Sequence, residues 1–501
     1  MPLVLLPLLL FPLEDGRAPL GLNLSGVTDW SSELVFVDAF RAARPWISQS
    51  NGKPWGQGGP LDVDEKGHVR SLRDGQFAET VVFTDFSEGF PSGMYTCLYA
   101  GKGELDFAMD ARVVSREPGR LRVEVKPNAR MATCRILKTD PSDPIRSIRL
   151  IHPGHEQSYE QEPFLPEFLE RWRGVRVFRF MDWQSTNNSP IKEWTQRPTL
   201  DQHSQAMNGV ALELMIELCN KTKVNPWFCM PHQASDDFVR RFAGLVQRKL
   251  DPSLRVFVEY SNECWNGQFK QAGYCRERGK NLDLSKNDYE AQLRYYSQRS
   301  VEMFTIWEEV FGGRDRLVRV LAAQSANPWT GSAILDWRQA GKKADAIAIA
   351  PYFGHRWGDP KKADQNVALT ADQLVDQLQE DLRESHKHVA AYAELARKHG
   401  IKLMAYEGGQ HLAGYGGAEN NERLTQLLQA VNRHPRMKHY YSQDLQHWNE
   451  VGGDVFCVFS SMGRFSKWGS WGLLEHRKQP LKEAPKLQAI RTYLRMQDNR
   501  H

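Results

Sequence analysis

The stretch that decides the fold reads Arg255-Val-Phe-Val-Glu-Tyr-Ser-Asn-Glu263-Cys-Trp-Asn266. Such a run of apolar and aromatic residues predicts a strand inside a sheet rather than on its surface. A second segment has the same form and reads Ile401-Lys-Leu-Met-Ala-Tyr-Glu407-Gly-Gly-Gln-His411. A carboxylate at the end of a buried strand is costly, so each glutamate needs a partner or a chemical role. Two such glutamates suit hydrolysis of a glycosidic bond, in which one carboxyl group protonates the leaving oxygen and the other attacks the sugar.

Strands and helices alternate along most of the chain, which predicts a parallel sheet surrounded by helices. The predicted barrel strands begin near residues 21, 175, 224, 255, 316, 344, 401 and 454. The count reaches eight only if Gly21–Ser25 is the first strand. Glu263 then ends strand four and Glu407 ends strand seven, at the carboxyl-terminal face where such barrels carry their active sites. The expected fold class is therefore α/β, a (β/α)8 TIM barrel.

One segment interrupts this alternation and predicts an inserted small antiparallel β-sandwich domain. Between about Leu61 and Ile151, short runs such as Phe77–Phe83 and Gly93–Tyr99 are separated by turn residues, for example Glu117-Pro-Gly119. Regularly spaced short strands of this kind are typical of antiparallel sandwiches. The predicted division of the chain is 1–18 as an apolar N-terminal segment, 19–59 with 152–501 as the catalytic barrel, and 60–151 as the inserted domain.

The positions of the two glutamates resemble a known group of enzymes. An Asn-Glu pair closing one strand and a lone glutamate closing a later one is similar to the pattern of the large clan of retaining glycoside hydrolases on (β/α)8 barrels. The resemblance implies that Glu263 is the general acid and base and that Glu407 is the nucleophile. The alternative for each is a buried structural carboxylate paired with an arginine.

Two residues are expected to support this pair. Asn262 would donate a hydrogen bond to a sugar hydroxyl, although it could instead form a turn at the strand end. Arg179 lies inside the second predicted strand, and a buried arginine needs an anion. The resemblance implies that this anion is Glu407. Glu259 is a competing partner, because alternate residues of a strand face the same side, and it is also the residue most easily mistaken for a catalytic one.

Further residues near strand ends are expected to line the cleft. Tyr352 resembles the tyrosine that bonds to the nucleophile in such sites, and His232 and His355 follow predicted strands. Several tryptophans also follow strands, and sugar rings pack their C–H faces on aromatic rings. Trp227 lies inside a strand and is expected in the core. The residues predicted to bind substrate are Asn262, Arg179, Tyr352, His232, His355, Trp183, Trp265, Trp468 and Trp471.

Composition narrows the function. Of 501 residues, 41% are hydrophobic and 25% are charged, which favours a packed core over disorder. A net charge of +4 gives no case for nucleic-acid binding. No Cys/His spacing or strand-end His/Asp set predicts a metal, and no cofactor is expected. The expected partner is an oligo- or polysaccharide.

The seven cysteines allow Cys97–Cys134 and Cys264–Cys275 disulfides, or could simply be small buried side chains.

The N-terminal run Met1-Pro-Leu-Val-Leu-Leu-Pro-Leu-Leu-Leu-Phe-Pro-Leu13 is apolar. It is too short and too rich in proline to span a bilayer. It resembles the apolar part of a secretory signal but lacks a basic start and a clear cleavage site. Export, to the periplasm or outside the cell, is the expectation, and a disordered apolar tail is the alternative.

Three other functions fit parts of the pattern. The first is a glycan-binding barrel without catalysis, and the second is a metal-dependent hydrolase or lyase on the same fold. The third keeps glycosidase chemistry but makes it inverting, with Asp182 or Asp454 as the partner and carboxyl groups roughly 6.5–9.5 Å apart. The sugar is left open. An open cleft with several tryptophans would suit endo action on a β-linked glucan, mannan or xylan, and a blocked pocket would suit exo action.

Overall fold

Eight parallel strands close into a barrel in the computed structural model, which describes residues 18–84, 89, 92–126 and 130–498. The predicted (β/α)8 fold is therefore confirmed. In barrel order, strands one to eight are Leu20–Asn23, Val177–Arg179, Asn225–Met230, Val256–Tyr260, Leu317–Ala322, Ala346–Ile349, Lys402–Ala405 and Phe456–Phe459. Glu263 follows strand four and Glu407 follows strand seven, in the order that the sequence predicts.

The barrel strands are almost continuously apolar because both of their faces are covered. All five residues of strand four and all six of strand five are buried. Strand one closes the barrel by pairing on both sides, with Gly21 opposite Val177 of strand two and Cys457 of strand eight. This close packing leaves room only for glycine at position 21, where an added Cβ would overlap Cys457 Sγ.

Helices surround the barrel and follow most of its strands. Their first turns carry side-chain caps, including Ser235, whose side chain accepts a hydrogen bond from the Phe238 amide, and Thr370, which forms a capping box with Gln373. The α-helices are Pro166–Arg171, Leu212–Thr222, Asp236–Lys249, Lys270–Asn281, Asp288–Phe311, Pro328–Asp336, Ala363–Asn366, Ala371–His399, Glu422–Arg433, Met437–Glu450 and Pro485–Asp498.

Two antiparallel four-stranded sheets lie between barrel strands one and two in the chain. The first sheet has the order Ile47–Ser50, Gln76–Thr84, Met131–Thr139 and Gly103–Met109. The second has the order Arg146–Ile151, Gly93–Ala100, Arg120–Val125 and Ala111–Glu117. A short ribbon pairs Asp62–Val63 with Val69–Ser71. The strand Ile47–Ser50 precedes residue 60, where the inserted domain was expected to begin, and the division into domains stays a prediction.

Buried polar contacts tie these sheets to the barrel. Asp38 accepts a hydrogen bond of 2.9 Å from the Leu150 amide, which fixes the last strand of the insertion. The Thr84 amide donates to the Asp29 carbonyl at 2.9 Å. Because both aspartates follow barrel strand one, the insertion is held against the start of the barrel.

The described cysteines and helices bear on two further expectations. All seven cysteines are buried free thiols, so neither of the two pairings considered from the sequence is present. Within residues 18–498, excluding the gaps in the described chain, no helix is long and apolar enough to cross a membrane. The expected N-terminal export segment falls largely on residues 1–17, which lie outside the described residues.

The close contact at Gly21 predicts a specific stability effect. We expect Gly21→Ala to destabilise the protein by about 1–3 kcal/mol, because a methyl group would be forced against Cys457. The measurement is the apparent unfolding temperature at a fixed scan rate. Adding Cys457→Ala should recover part of the loss, since it removes the overlapping sulfur.

Gly273→Ala is the matched control. Gly273 is exposed in the helix Lys270–Asn281, and an added Cβ there meets nothing within 4 Å. This change should leave the unfolding temperature unchanged or raise it, because alanine favours helix. Equal losses in the two alanine variants would contradict the packing argument.

Candidate active site

The glutamates after strands four and seven face one cavity. Glu263 lies just past Tyr260, the last residue of strand four, and Glu407 lies just past Ala405, the last residue of strand seven. Both line a cavity of about 820 Å³ at the carboxyl-terminal mouth of the barrel. Ligand sites of barrel proteins lie at this end, and cavities of this size hold small ligands.

The backbone after strand four turns sharply to present its side chains. Ser261 has a φ of +59° and Glu263 a φ of +43°, in the left-handed region that costs non-glycine residues about 1–3 kcal/mol. The Ser261 amide still donates to the Met230 carbonyl at 2.8 Å, so the turn is anchored to strand three. The turn lets Asn262 contact Arg179 inside the barrel, while Glu263 contacts Tyr406 across its mouth.

The guanidinium of Arg179, on strand two, is fully buried and bonds to residues in or just after strands one, four and seven. Its Nη1 donates to Glu407 Oε1 at 2.9 Å and to Asn23 Oδ1 at 3.1 Å. Its Nη2 donates to Glu259 Oε2 at 2.9 Å and to Asn262 Oδ1 at 2.8 Å. Both of the anions considered from the sequence are therefore its partners. With 0% exposure, Arg179 braces the site and has no surface for substrate, which corrects its assignment as a substrate-binding residue.

Glu259 lies on the inner side of this arginine and does not line the cavity. It is 0% exposed, and its Oε2 also accepts a hydrogen bond of 2.9 Å from Trp227 Nε1. Trp227 is likewise fully buried, as expected for a residue within a strand. Glu259 is thus a structural carboxylate paired with an arginine. This is the role predicted from the sequence as the alternative to catalysis for Glu263 and Glu407.

The two cavity glutamates have different neighbours. Glu407 contacts the Arg179 cation, and its Oε2 accepts a hydrogen bond of 3.0 Å from the Tyr352 hydroxyl. Among the described residues, the donors to Glu263 are both uncharged, with Tyr406 Oη at 3.0 Å and Asn266 Nδ2 at 2.8 Å. A cation favours an ionised carboxylate, whereas uncharged donors offset burial less well. Of the two, Glu407 is therefore the one whose ionised form is favoured by direct contact with a cation, while burial opposes ionisation of both.

Burial raises the pKa of both glutamates above the ordinary carboxyl range. For Glu407, Arg179 and the Tyr352 hydroxyl oppose this rise, while the charge of Glu263 adds to it. For Glu263, the hydrogen bonds from Asn266 and Tyr406 oppose it. Because the groups interact, they titrate as a pair that retains one proton above the pH at which ordinary carboxyl groups ionise.

Aromatic side chains line one wall of this cavity. The His355 and His411 rings lie 4.6 Å apart, and His411 is 5.0 Å from Trp471. Trp471 also lies 5.8 Å from Tyr352, which places the wall beside Glu407. Trp265 lines the same cavity on the side of strand four. Trp468 is 66% exposed and lines an adjoining cavity.

Two of the predicted substrate-binding residues are not in the cleft. Trp183 is 1% exposed, its ring packs 5.5 Å from Phe180, and its Nε1 donates to the Ser25 carbonyl at 3.1 Å. His232 is 3% exposed and its ring packs 5.3 Å from Tyr274. Neither side chain lines either cavity at the mouth of the barrel, so neither contacts a sugar bound there.

Three further residues of the site were not found from the sequence. Tyr406 and Asn266 bond to Glu263, and Asn23 bonds to Arg179 and to the Tyr406 carbonyl. For each of these three residues, the sequence contains a feature that could have pointed to the site. Asn23 is a polar residue ending an apolar strand, Tyr406 precedes Glu407, and Asn266 lies in the motif that contains Glu263.

The alternative carboxyl partners are placed differently. Asp454 precedes strand eight, at the end of the barrel opposite the cavity, and lies 3.9 Å from Lys402. This position excludes it as a partner of Glu263. Asp182 lines the cavity that contains Trp468. In the described parts of the chain, no group of three or more His, Cys, Asp and Glu side chains could hold a metal ion.

Comparisons with known proteins find distant structural likenesses. No family model matches the chain, and no curated protein matches it. A GH51 arabinofuranosidase from Xanthomonas axonopodis pv. citri is similar over 61% of this chain and 62% of its own, with 9% identity and a TM-score of 0.36. This chain therefore spans less than two thirds of that protein.

Two other solved structures are similar to the same degree. An endo-beta-1,4-mannanase from Thermotoga petrophila matches over 66% of this chain and 72% of its own, with 11% identity and a TM-score of 0.37. A beta-glucosidase from Thermotoga maritima matches over 68% and 87%, with 10% identity and a TM-score of 0.36. At such TM-scores these likenesses carry no weight for function.

Burial of Glu263 predicts a pH-dependent stability effect. Its folded pKa is raised above 4.5, so its contribution to stability falls as pH increases from that value upward. Glu263→Gln mimics the protonated group and should raise the apparent unfolding temperature at pH 8, with little effect near pH 4. The exposed Glu394 provides the control, and Glu394→Gln should show no such trend. A gain for Glu263→Gln that is the same at both pH values would contradict this account.

Proposed function

We propose that the protein is a glycoside hydrolase that cleaves β-linked glycans by a retaining double displacement, with Glu263 as acid and base and Glu407 as nucleophile. The observation that carries the proposal is the unequal environment of two glutamates in one cavity. Arg179 and Tyr352 hold Glu407, while only uncharged donors hold Glu263. This chemistry requires one carboxyl group that keeps its proton and one that is ionised, and the contact with Arg179 favours Glu407 as the ionised one.

In the first step, an ionised Glu407 oxygen attacks the anomeric carbon of the sugar. The bond from that carbon to the leaving oxygen breaks as Glu263 transfers its proton to that oxygen. The products are a glycosyl ester on Glu407 and a free leaving group. Glu263 is then ionised, and the net charge of the site is unchanged.

In the second step, water attacks the anomeric carbon of the ester. Glu263 accepts a proton from this water, and the carbon–oxygen bond to Glu407 breaks, which regenerates both groups. Each step inverts the anomeric carbon, so the product keeps the configuration of the substrate. Arg179 stays paired with Glu407 in the free enzyme and would stabilise its departure as a carboxylate.

The assignment of roles follows from charge. A nucleophile must be ionised, and Glu407 has a cation at 2.9 Å. An acid must hold a proton near neutral pH, and burial with uncharged partners favours that state for Glu263. Glu407 is also the better partner than Asp182, since it lines the same cavity as Glu263.

Alanine variants with azide test both roles. The wild type, Glu407→Ala and Glu263→Ala would be assayed on aryl β-glycosides and on β-glucan, mannan and xylan. We expect each variant to lose roughly 100- to 10,000-fold in activity. Azide should restore Glu263→Ala and give a β-glycosyl azide, because two displacements still occur. With Glu407→Ala it should give an α-glycosyl azide, because a single displacement inverts the carbon.

Glu394→Ala is the control and should keep wild-type activity, because Glu394 is exposed on the helix Ala371–His399. Two results would contradict the proposal. One is full activity in both glutamate variants, and the other is a wild type that hydrolyses none of these substrates.

Two tyrosine variants should shift opposite limbs of the pH profile of kcat/KM. The hydrogen bond from Tyr352 lowers the pKa of Glu407, so Tyr352→Phe should raise that pKa and move the acidic limb to higher pH. The bond from Tyr406 lowers the pKa of Glu263, so Tyr406→Phe should move the alkaline limb to higher pH. Each shift should be about one pH unit, the usual effect of one hydrogen bond.

Tyr289→Phe serves as the reference variant, because Tyr289 packs against Trp329 and bonds to neither glutamate. Its profile should match the wild type. If Tyr352→Phe moved only the alkaline limb, the roles of the two glutamates would have to be exchanged.

A further inference from the structure

A second cavity continues the cleft beyond the two glutamates. It has a volume of about 880 Å³ and lies above strands one, two and eight. Met181, Asn187 and Trp471 line both cavities, so the two spaces adjoin along these side chains. Each space alone is as large as the pockets that hold drug-sized ligands, so together they exceed what a single monosaccharide needs.

Two exposed tryptophans stand at this second cavity. Trp30 is 54% exposed and follows strand one, and Trp468 is 66% exposed and follows strand eight. Arg464 connects the two loops, because its Nη2 donates to the Trp30 carbonyl at 3.1 Å. The flat faces of the two indole rings suit the C–H faces of sugar rings.

Asp182 supplies a polar group at the base of the same cavity. Its carboxylate has no hydrogen bond or ion pair with any of the described residues, although it is only partly exposed. Burial raises its pKa to about 6, so it is mostly ionised at neutral pH. A half-buried carboxylate that accepts no hydrogen bond costs free energy. Two adjacent hydroxyl groups of a sugar could donate hydrogen bonds to it.

The charges of the cleft restrict the kind of glycan. The carboxyl groups that line the two cavities are those of Asp182, Glu263, Asp381, Glu384 and Glu407, and Arg356 lines the first cavity. Arg179 lies behind them and is already shared between Glu407 and Glu259. Arg464 adds one positive charge in the second cavity. Carboxyl groups thus outnumber cations, and such a cleft repels a polyanionic chain.

We propose that the second cavity binds further sugar residues of a neutral β-linked chain, with Asp182 accepting hydroxyl hydrogen bonds and Trp30 and Trp468 packing on sugar rings. The enzyme then cuts bonds within chains rather than removing single terminal sugars. This proposal deepens the proposed function and rests on it for the cutting step, whereas binding of the chain can be measured separately.

The test compares short and long substrates in the full-length protein. An aryl β-monoglycoside would be compared with the β-1,4-linked hexaose of the same sugar, among glucose, mannose and xylose. For Trp468→Ala and Asp182→Asn, we expect kcat/KM on the hexaose to fall roughly tenfold. On the monoglycoside, the value for Trp468→Ala should stay within about twofold, since this substrate needs only the first cavity. Asp182→Asn should also change activity on the monoglycoside, because the charge of Asp182 contributes to the raised pKa of Glu407. Trp329→Ala is the control, because Trp329 is 47% exposed but packs on Tyr289.

Direct binding separates this proposal from the proposed function. Glu263→Gln would be titrated with cellohexaose, mannohexaose and xylohexaose, with tryptophan fluorescence as the signal. Binding that Trp468→Ala weakens supports the second cavity even if no substrate is hydrolysed. Equal losses on short and long substrates, or no binding of any hexaose, would overturn it. An active wild type that releases only monosaccharides from polymer would also overturn it.

Discussion

The candidate site depends on one buried guanidinium. Arg179 belongs to strand two and bonds to Asn23 at the end of strand one, to Glu259 and Asn262 on the strand-four side, and to Glu407 after strand seven. Removing one partner of a buried charge pair typically costs about 3–5 kcal/mol, because the other charge is left without compensation. The same contacts that stabilise the barrel mouth therefore set the position of Glu407. Fold and site cannot be altered independently at this residue.

A single cation shared by two carboxylates also explains the charge state of the cavity. Arg179 contacts Glu259 and Glu407 but not Glu263, whose donors are the Tyr406 hydroxyl and the Asn266 amide. In the proposed mechanism, the carboxyl group that Arg179 does not contact is the one that keeps its proton. In the proposed mechanism, an acid and a nucleophile of the same residue type differ through their neighbours rather than through their own chemistry.

The eight barrel strands could be predicted in order from the sequence, because strands that are covered on both faces are nearly all apolar and differ from the polar segments between them. The strand Ala111–Glu117 was not predicted, because most of its side chains are exposed, several are charged, and apolar and polar residues do not alternate along it. In the site, Tyr352 was expected to bond to the glutamate after strand seven, and its hydroxyl does donate to Glu407 at 3.0 Å. Trp183 and His232 were misplaced because the direction of a loop side chain is set by tertiary packing and not by strand periodicity.

Strand one of the barrel pairs with partners that are far away in the chain. Asn23 bonds to the carbonyl of Val458, across a separation of 435 residues. At a synthesis rate of about 5–20 residues per second, strand one would wait roughly 20–90 s for strand eight. During that time, all strands of the two antiparallel sheets have already been synthesised, because they lie within residues 47–151. The two sheets could thus fold early and support the edge of strand one while it is unpaired, and the barrel could close only after strand eight has been synthesised.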